Sequence, residues 1–390
     1  MGQQREFDIV MFGATGFTGE LTARHLASRM PADGRWALVG RNQAKLEAVR
    51  ARLAEDFPEL KDLAILLADS GDAESLRKVA EATKVVITTV GPYLLYGEGL
   101  VKACAEAGTD YVDLTGEPEF VDRMYLNYND TAAASGARII HSCGFDSIPH
   151  DLGALFTVRQ LPSDVPLRVR GVVRSNAGFS GGTFHSAMEA MSRAKQMRDA
   201  MVARRKAEPK PAGRRSRAIT GKPGKDSVLG YWLLPLPTID PFVVARSGAA
   251  LDEYGPDFGY SHYAGTKTLR FAVGGAVGVS AITLGAQIKP VREAMKKRVP
   301  QGEGPSESKR AKSWFTVDFI GEGGGQKVHT RVSGGDPGYT DTAKMLAESA
   351  LSLAFDDNPK TSGQVTTATA IGDALLGRLQ DVGITFEVIG

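Results

Sequence analysis

The chain has 390 residues, 42% hydrophobic and 24% charged. That is ordinary globular usage with room for two domains, so a small scaffold stapled by disulfides or metal is excluded. A net charge of +2 gives no reason to expect a nucleic-acid partner, and the two cysteines, Cys104 and Cys143, lack metal-ligand spacing and suit a reducing compartment, so no metal is expected.

The opening MGQQREFDIV has no apolar run ahead of a cleavage site, and Glu6 stands where N-myristoylation needs Ser or Thr; a cytoplasmic location is expected. Apolar runs at Phe7–Phe12, Trp36–Val39, Leu63–Leu67, Val85–Val90, Tyr111–Leu114 and Arg138–His141 then alternate with helical patterns. Six strands with crossover helices predict an α/β Rossmann domain, a doubly wound parallel sheet, over residues 1–150. The rhythm changes after Gly144. Leu167–Arg174 and Trp314–Glu322 read as strands, with Gln326–Ser333 pairing back across Gly323-Gly324-Gly325. Thr183–Arg204 reads as helix. Residues 151–338 are therefore expected to form a second, α+β domain for substrate and dimerisation, with a homodimer as its oligomer.

Two stretches of this domain are basic. Residues 202–225 carry nine Lys/Arg against one acid, and residues 292–312 seven against three; mobile loops are expected near 205–227 and 299–312. Phe271–Ile288 runs 18 residues without a charge. Its glycines argue against a membrane span. It reads either as a buried core helix or as a surface helix dipping into lipid, and the Lys/Arg on both flanks favour the second. Peripheral contact through 271–288 at the inner face of the plasma membrane is the resulting expectation. Residues 339–390 carry two amphipathic helices, 340–356, with Thr340 or Asp341 as N-cap, and 369–380.

Residues 13–19 read GATGFTG, a G-x-x-G-x-x-G loop between the first strand and the first helix, which is the setting a dinucleotide fingerprint requires. Gly13 permits the tight turn, Gly16 lets backbone approach a pyrophosphate, and Gly19 lets helix and strand pack closely. Thr15, Phe17 and Thr18 complete the phosphate loop at a helix N-terminus. The second strand ends in Gly40-Arg41-Asn42 with no acid to bind a ribose 2′-hydroxyl. Arg41, with Asn42 and Lys45 beside it, instead suits a 2′-phosphate, which predicts NADP(H) over NAD(H). Asp69 and Ser70, after the third strand, are placed near the adenine. Gly91 and Pro92, after the fourth, border the nicotinamide ribose, with Tyr93 and Tyr96 expected to face the reaction space.

GATGFTG, GRN, GPYLLYGE, YVDLTGE, CGFDSIPHDLG and GGDPGYTDTAKML together resemble the saccharopine-dehydrogenase-like oxidoreductases, above all the actinobacterial trans-acting enoyl reductases. The resemblance implies C-terminal helices that return to the Rossmann domain. It also implies an NADPH-dependent enoyl reductase acting on an acyl thioester held by a polyketide synthase carrier, in lipid biosynthesis. Reduction of an imine or carbonyl in a small metabolite, and a non-catalytic nucleotide-binding protein at a lipid surface, remain alternatives. Enoyl reduction needs a proton donor and donors for developing enolate charge. Candidates are Tyr93, Tyr96, Asp146, Ser147 and His150, though Asp146 and Ser147 also read as caps of the helix opened by Pro149. Ser180-Gly181-Gly182-Thr183 and His185 lie at a second helix start. Tyr263 and Lys267 mimic a Tyr-x-x-x-Lys pair, but Gly265 weakens the helix such a pair needs.

Overall fold

Strand β1 (Phe7–Phe12) is buried along its whole length, as expected of a central strand covered on both faces. It leads into α1 (Phe17–Arg29), and the step repeats through β2 (Trp36–Gly40), α2 (Gln43–Asp56), β3 (Ala64–Leu67), α3 (Ala73–Ala82), β4 (Thr83–Thr88), α4 (Tyr93–Tyr96), α5 (Glu98–Ala107), β5 (Asp110–Asp113), α6 (Pro118–Ser135) and β6 (Arg138–Ile140). The second half comprises α7 (Ile148–Val158), β7 (Leu167–Ser175), α8 (Gly181–Ser192), α9 (Ala194–Ala207), β8 (Arg215–Ala218), β9 (Gly224–Lys225), β10 (Trp232–Pro235), α10 (Asp240–Ala250), β11 (Asp257–Thr266), α11 (Leu269–Gln287), α12 (Lys289–Arg298) and α13 (Glu307–Arg310). It closes with β12 (Phe315–Gly323), β13 (Gln326–Gly334), α14 (Thr340–Phe355), β14 (Gly363–Val365), α15 (Thr367–Asp381) and β15 (Thr385–Val388). This computed structural model describes residues 5–177, 181–298 and 304–390, so Ser180 and the first part of the 299–312 stretch lie outside the described residues.

Among the described residues, seven parallel strands form the first sheet in the order β14-β6-β5-β4-β1-β2-β3. The reversal between β1 and β4 is the doubly wound topology the strand rhythm predicts. The second sheet runs β15-β13-β12-β7-β11-β10-β9, with β8 paired to the first half of β11 and β10 to the second. Its β12–β13 hairpin turns on Gly324 and Gly325, at φ +57 and +78, as the right-handed strand twist favours.

Helix α7 joins the layers. It leaves the end of β6 and lies on the second sheet, so close that a Cβ on Gly153 would overlap the Phe319 ring of β12. Residues 144–150 are thereby held between the two sheets. Helix α14 returns to the first domain and packs on α1 and α15. Its buried Glu348 receives His25 at 2.8 Å, Arg29 at 3.1 Å and Arg378 at 3.1 Å, tying the three helices together.

Four local expectations are corrected. The basic stretch 205–227 is structured: α9 runs to Ala207, and β8 and β9 follow. Three of its arginines are paired: Arg215 and Arg217 with Asp257, and Arg214 with Asp252 and the carbonyls of Gly248 and Leu251. In the other basic stretch, α13 occupies Glu307–Arg310. Helix α14 is capped from further upstream: Asp336 Oδ2 accepts from the Thr340 amide at 3.0 Å, while Asp341 is buried in the first turn and accepts from the Gly335 amide. Finally, Thr183–Arg204 breaks at Arg193 into α8 and α9.

Candidate active site

The glycine loop divides its labour. Gly13 sits at φ +94, where an L side chain is strained, and a Cβ on Gly19 would overlap the Gly13 carbonyl oxygen. Both are demanded by the loop itself. Gly16 is different: it is exposed, has φ −86, and an added Cβ would meet nothing closer than 3.6 Å. The space beside it is open in the protein and adjoins the first amides of α1, which have no carbonyl partner within the helix. A pyrophosphate fits there and a side chain would fill it. Thr15 is exposed beside it and Thr18 half-buried. The Phe17 ring stands edge-on to Tyr339 with centroids 5.0 Å apart and lies 5.2 Å beneath the Arg310 guanidinium.

At the end of β2 the Arg41 side chain is 81% exposed and 3.9 Å from Asp69, leaving its guanidinium available to a 2′-phosphate. Asn42 caps α2 by accepting from the Lys45 amide at 3.0 Å. Asp69 accepts from the Gly71 amide at 2.8 Å, with Ser70 half-buried beside it. Gly91 is exposed and Pro92 half-buried beyond β4.

The expectation that Tyr93 faces the reaction space is corrected. Its ring is buried, and its hydroxyl donates to the Thr88 carbonyl at 3.2 Å and accepts from the Leu114 amide at 3.1 Å. Tyr96 is 48% exposed. The group that organises this corner is Glu117, the last residue of the YVDLTGE run, which was not among the candidate site residues. Its buried carboxylate accepts from the amides of Tyr93 (3.0 Å) and Leu94 (2.9 Å), and from Ser186 Oγ of α8 (2.9 Å). Burial pushes its pKa up against these donors.

Asp146 lies next to this corner: a Cβ on Gly116 would be 3.2 Å from its Oδ2, so the glycine makes room for the carboxylate at the carboxyl end of β5. Neither Asp146 nor Ser147 caps α7; Ser147 Oγ donates to the Asp146 carbonyl, and Ser147 makes no side-chain cap. His150, far from being a surface residue, is buried with Nδ1 3.0 Å from Asp240, the first residue of α10. His262 of β11 approaches the same carboxylate at 3.7 Å, stands edge-on to His150 at 4.7 Å, and its Nδ1 lies 3.2 Å from Tyr260 Oη.

The electrostatics separate the two carboxyls. Burial and the neighbouring charge of Asp240 push Asp146 up to about 7, against an opposing pull from His150. Burial also works against charge on Asp240, but His150 and His262 outweigh it and hold that carboxyl below its usual range. Burial drives His262 down to about 3, so it is neutral near pH 7. Two carboxyls whose surroundings push their pKa values apart are the arrangement expected of an acid and a fixed like charge that keeps it protonated.

Asp240 and His262 come from segments 90 and more residues beyond the CGFDSIPH run. Asp240 reads locally as a helix-start residue and His262 as one position of an alternating strand, so neither carries a sequence signal. Tyr263 and Lys267 fall on and just after β11, a strand, where no helical turn brings them together. His185 lies in the first half of α8, near Ser186, and the Thr183 side chain is outside the described residues.

Residues 9–140 match the family model described as the saccharopine dehydrogenase NADP binding domain. A Mycobacterium tuberculosis protein provisionally named a trans-acting enoyl reductase is 39% identical, over 98% of this chain and 97% of its own length. A Mycobacterium ulcerans protein named trans-acting enoyl reductase is 34% identical over the same shares. Among solved structures, apo saccharopine dehydrogenase (L-Glu forming) of Saccharomyces cerevisiae superposes with a TM-score of 0.57 at 12% identity, covering 98% of this chain and all of the yeast chain, a likeness of fold.

Proposed function

Because this chain belongs to the saccharopine-dehydrogenase-like, NADP-dependent oxidoreductases and groups with their trans-acting enoyl reductases, we propose that it reduces the C=C bond of an enoyl thioester, with Asp146 as the proton donor. The observation that carries this reading is the placement of the Asp146 carboxyl against Gly116 at the carboxyl end of β5, where burial and Asp240 both favour its protonated form. A carboxyl that keeps its proton near neutrality is suited to general-acid work.

When bound, the nicotinamide supplies a hydride. The chain's residues do the rest. Gly16 and the start of α1 would hold the pyrophosphate, and Arg41 would pair with the 2′-phosphate. Glu117 holds α4 and α8 together next to Asp146, where a substrate alkene would be received. Hydride addition at the β-carbon leaves negative charge on the α-carbon and thioester oxygen. Asp146 delivers its proton to the α-carbon and becomes a carboxylate. Asp240, clamped by His150 and His262, makes that charged state unfavourable, so Asp146 recovers a proton from solvent before the next turnover.

The relatives' names support enoyl reduction in trans; presentation of the thioester on a polyketide synthase carrier, within lipid biosynthesis, is part of the proposal. The test is NADPH oxidation with a panel of enoyl thioesters, imines and ketones, followed by product mass spectrometry. Saturated thioester with one deuterium from labelled NADPH at the β-carbon and one solvent proton at the α-carbon is the expected product. Turnover confined to imines or ketones would replace this reading with amine or alcohol formation.

A further inference from the structure

Helix α11 turns its apolar surface outward. Between Arg270 and Lys289 no residue is charged, yet of the helix only Ala272 and Ala286 are buried. Leu269, Val273, Val277, Leu284 and Ile288 are 50 to 70% exposed. At 3.6 residues per turn they fall within an arc of about 100° and form a stripe about 28 Å long. The small buried alanines lie off this arc, against the body of the protein, while Phe271, 62% exposed, and Val279, 40% exposed, extend the apolar exposure beyond the stripe. Single exposed leucines are ordinary, but a continuous stripe of this length marks a contact surface.

We propose that this stripe beds into the interface of an anionic lipid leaflet, with α11 lying in the plane of the surface. Charge selects the occupant. Lys267 precedes the stripe and Arg270 lies in its first turn, Lys289, Arg292, Lys296, Lys297 and Arg298 follow it, and Glu293 is the one acid among residues 267–298. Lys267, Arg270, Lys289, Lys297 and Arg298 are exposed. A second copy docked on the same stripe about a two-fold axis would bring like charges together. Anionic headgroups complement both clusters while the uncharged middle enters the acyl boundary. The topology rules out spanning: β11 before the helix and β12 after it flank β7 in one sheet, so both ends of the α11–α12 segment return to the same side.

The stripe also lies close to the catalytic corner. Helix α11 rests on α8, with Gln287 Nε2 donating to the Met191 carbonyl at 2.5 Å and Thr283 Oγ1 3.7 Å from Met191 Sδ. Ser186, about 7.5 Å away along α8, is the residue bound to Glu117. The route we propose for an acyl chain leaving the leaflet runs along α8 to this corner. That route rests on the enoyl-thioester reading; the lipid contact itself does not.

Flotation of the full chain with phosphatidylcholine vesicles, and with mixed phosphatidylcholine–phosphatidylglycerol vesicles, tests the contact independently of turnover. The chain should float with the mixed vesicles at low salt, be released as salt rises, and stay behind with phosphatidylcholine alone. Lys297→Glu should weaken partitioning about fivefold or more. Val277→Asp with Leu284→Asp should weaken it at least about tenfold. Both residues are exposed, so NADPH binding and Tm should match wild type. Absence of flotation, or equal salt-insensitive flotation on both vesicles, overturns the proposal. So does a dimer seen by light scattering that the double variant abolishes in a protein that does not float, which would assign the stripe to a second copy.

Discussion

His150 Nδ1 lies 3.0 Å from a carboxylate oxygen of Asp240, and both residues are buried. Burial, and after it the anion held there, raises the proton affinity of Asp146, and two substitutions separate these roles. Asp146→Asn should lower kcat about 10²–10⁴-fold while leaving the NADPH Kd unchanged. In the wild type, kcat should be level on the acid side and fall as pH rises through about 7, where Asp146 loses its proton. Asp240→Asn, a change in a positioning residue, should carry that fall to lower pH, because the like charge raising Asp146 is gone. A wild-type profile that stays level well above neutrality would remove Asp146 as the acid.

The same raised pKa has a cost in stability, and its sign is opposite to that of a salt-bridged carboxylate. Unfolded Asp146 releases its proton near 3.8, whereas the folded protein holds it to about 7. Between these values the folded state binds more protons than the unfolded state, so stability falls as pH rises. Asp146→Asn should therefore melt higher than wild type above neutral pH and alongside it below about pH 4. Thermal unfolding at the two pH values checks this; a lower Tm for the variant at the higher pH would mean that the carboxylate is stabilising there.

Two glycines of one loop should respond differently. Gly16→Val adds a side chain to open space, so the protein should fold with unchanged Tm while calorimetric NADPH binding is lost. Gly19→Ala drives a methyl into the Gly13 carbonyl, which should destabilise the fold by about 1–3 kcal/mol. Undiminished NADPH binding by Gly16→Val would show that the phosphates lie elsewhere.

Tyr93→Phe is a stability variant. It leaves the Leu114 amide and the Thr88 carbonyl without their buried partner, at a cost of about 1–3 kcal/mol. Turnover per folded molecule should stay near wild type. A large loss of kcat at unchanged Tm would return the tyrosine to the chemistry.

Much of this architecture was legible in sequence because it rests on local signals. Alternating apolar runs mark five strands between helices and the strand before Gly144, and Gly324-Gly325 between two alternating segments fixes the β12–β13 register. What escaped depends on distant partners. Strand β14 has three residues, too few for any period to show, and forms because β6 offers an edge. The arginines at 214–217 look like a solvated run until Asp252 and Asp257 are seen opposite them. Asp146 looks like a helix cap, since nothing near it in sequence reveals Asp240, and Tyr93 follows a promising glycine turn whose geometry then folds the ring inward. The apolar 271–288 run was legible as a helix, but period alone could not tell which side it turns to solvent.

Cofactor choice provides the most direct measurement at the opposite end of the site. Arg41 stands at the end of β2, where an acid would otherwise hold a ribose 2′-hydroxyl, and its side chain is 81% exposed. Its nearest anion, Asp69 at 3.9 Å, forms an exposed pair worth no more than about 1 kcal/mol, so little is lost when a phosphate takes its place. Hydrogen bonds to a charged group contribute about 1.5–3 kcal/mol. Arg41→Ala should therefore weaken NADPH binding about tenfold or more. NADH, which has no 2′-phosphate, should bind as before. Titration of both cofactors, followed by protein fluorescence, separates the outcomes: loss confined to NADPH supports the contact, equal loss of both points to a damaged β2–α2 turn, and no loss removes Arg41 from the site.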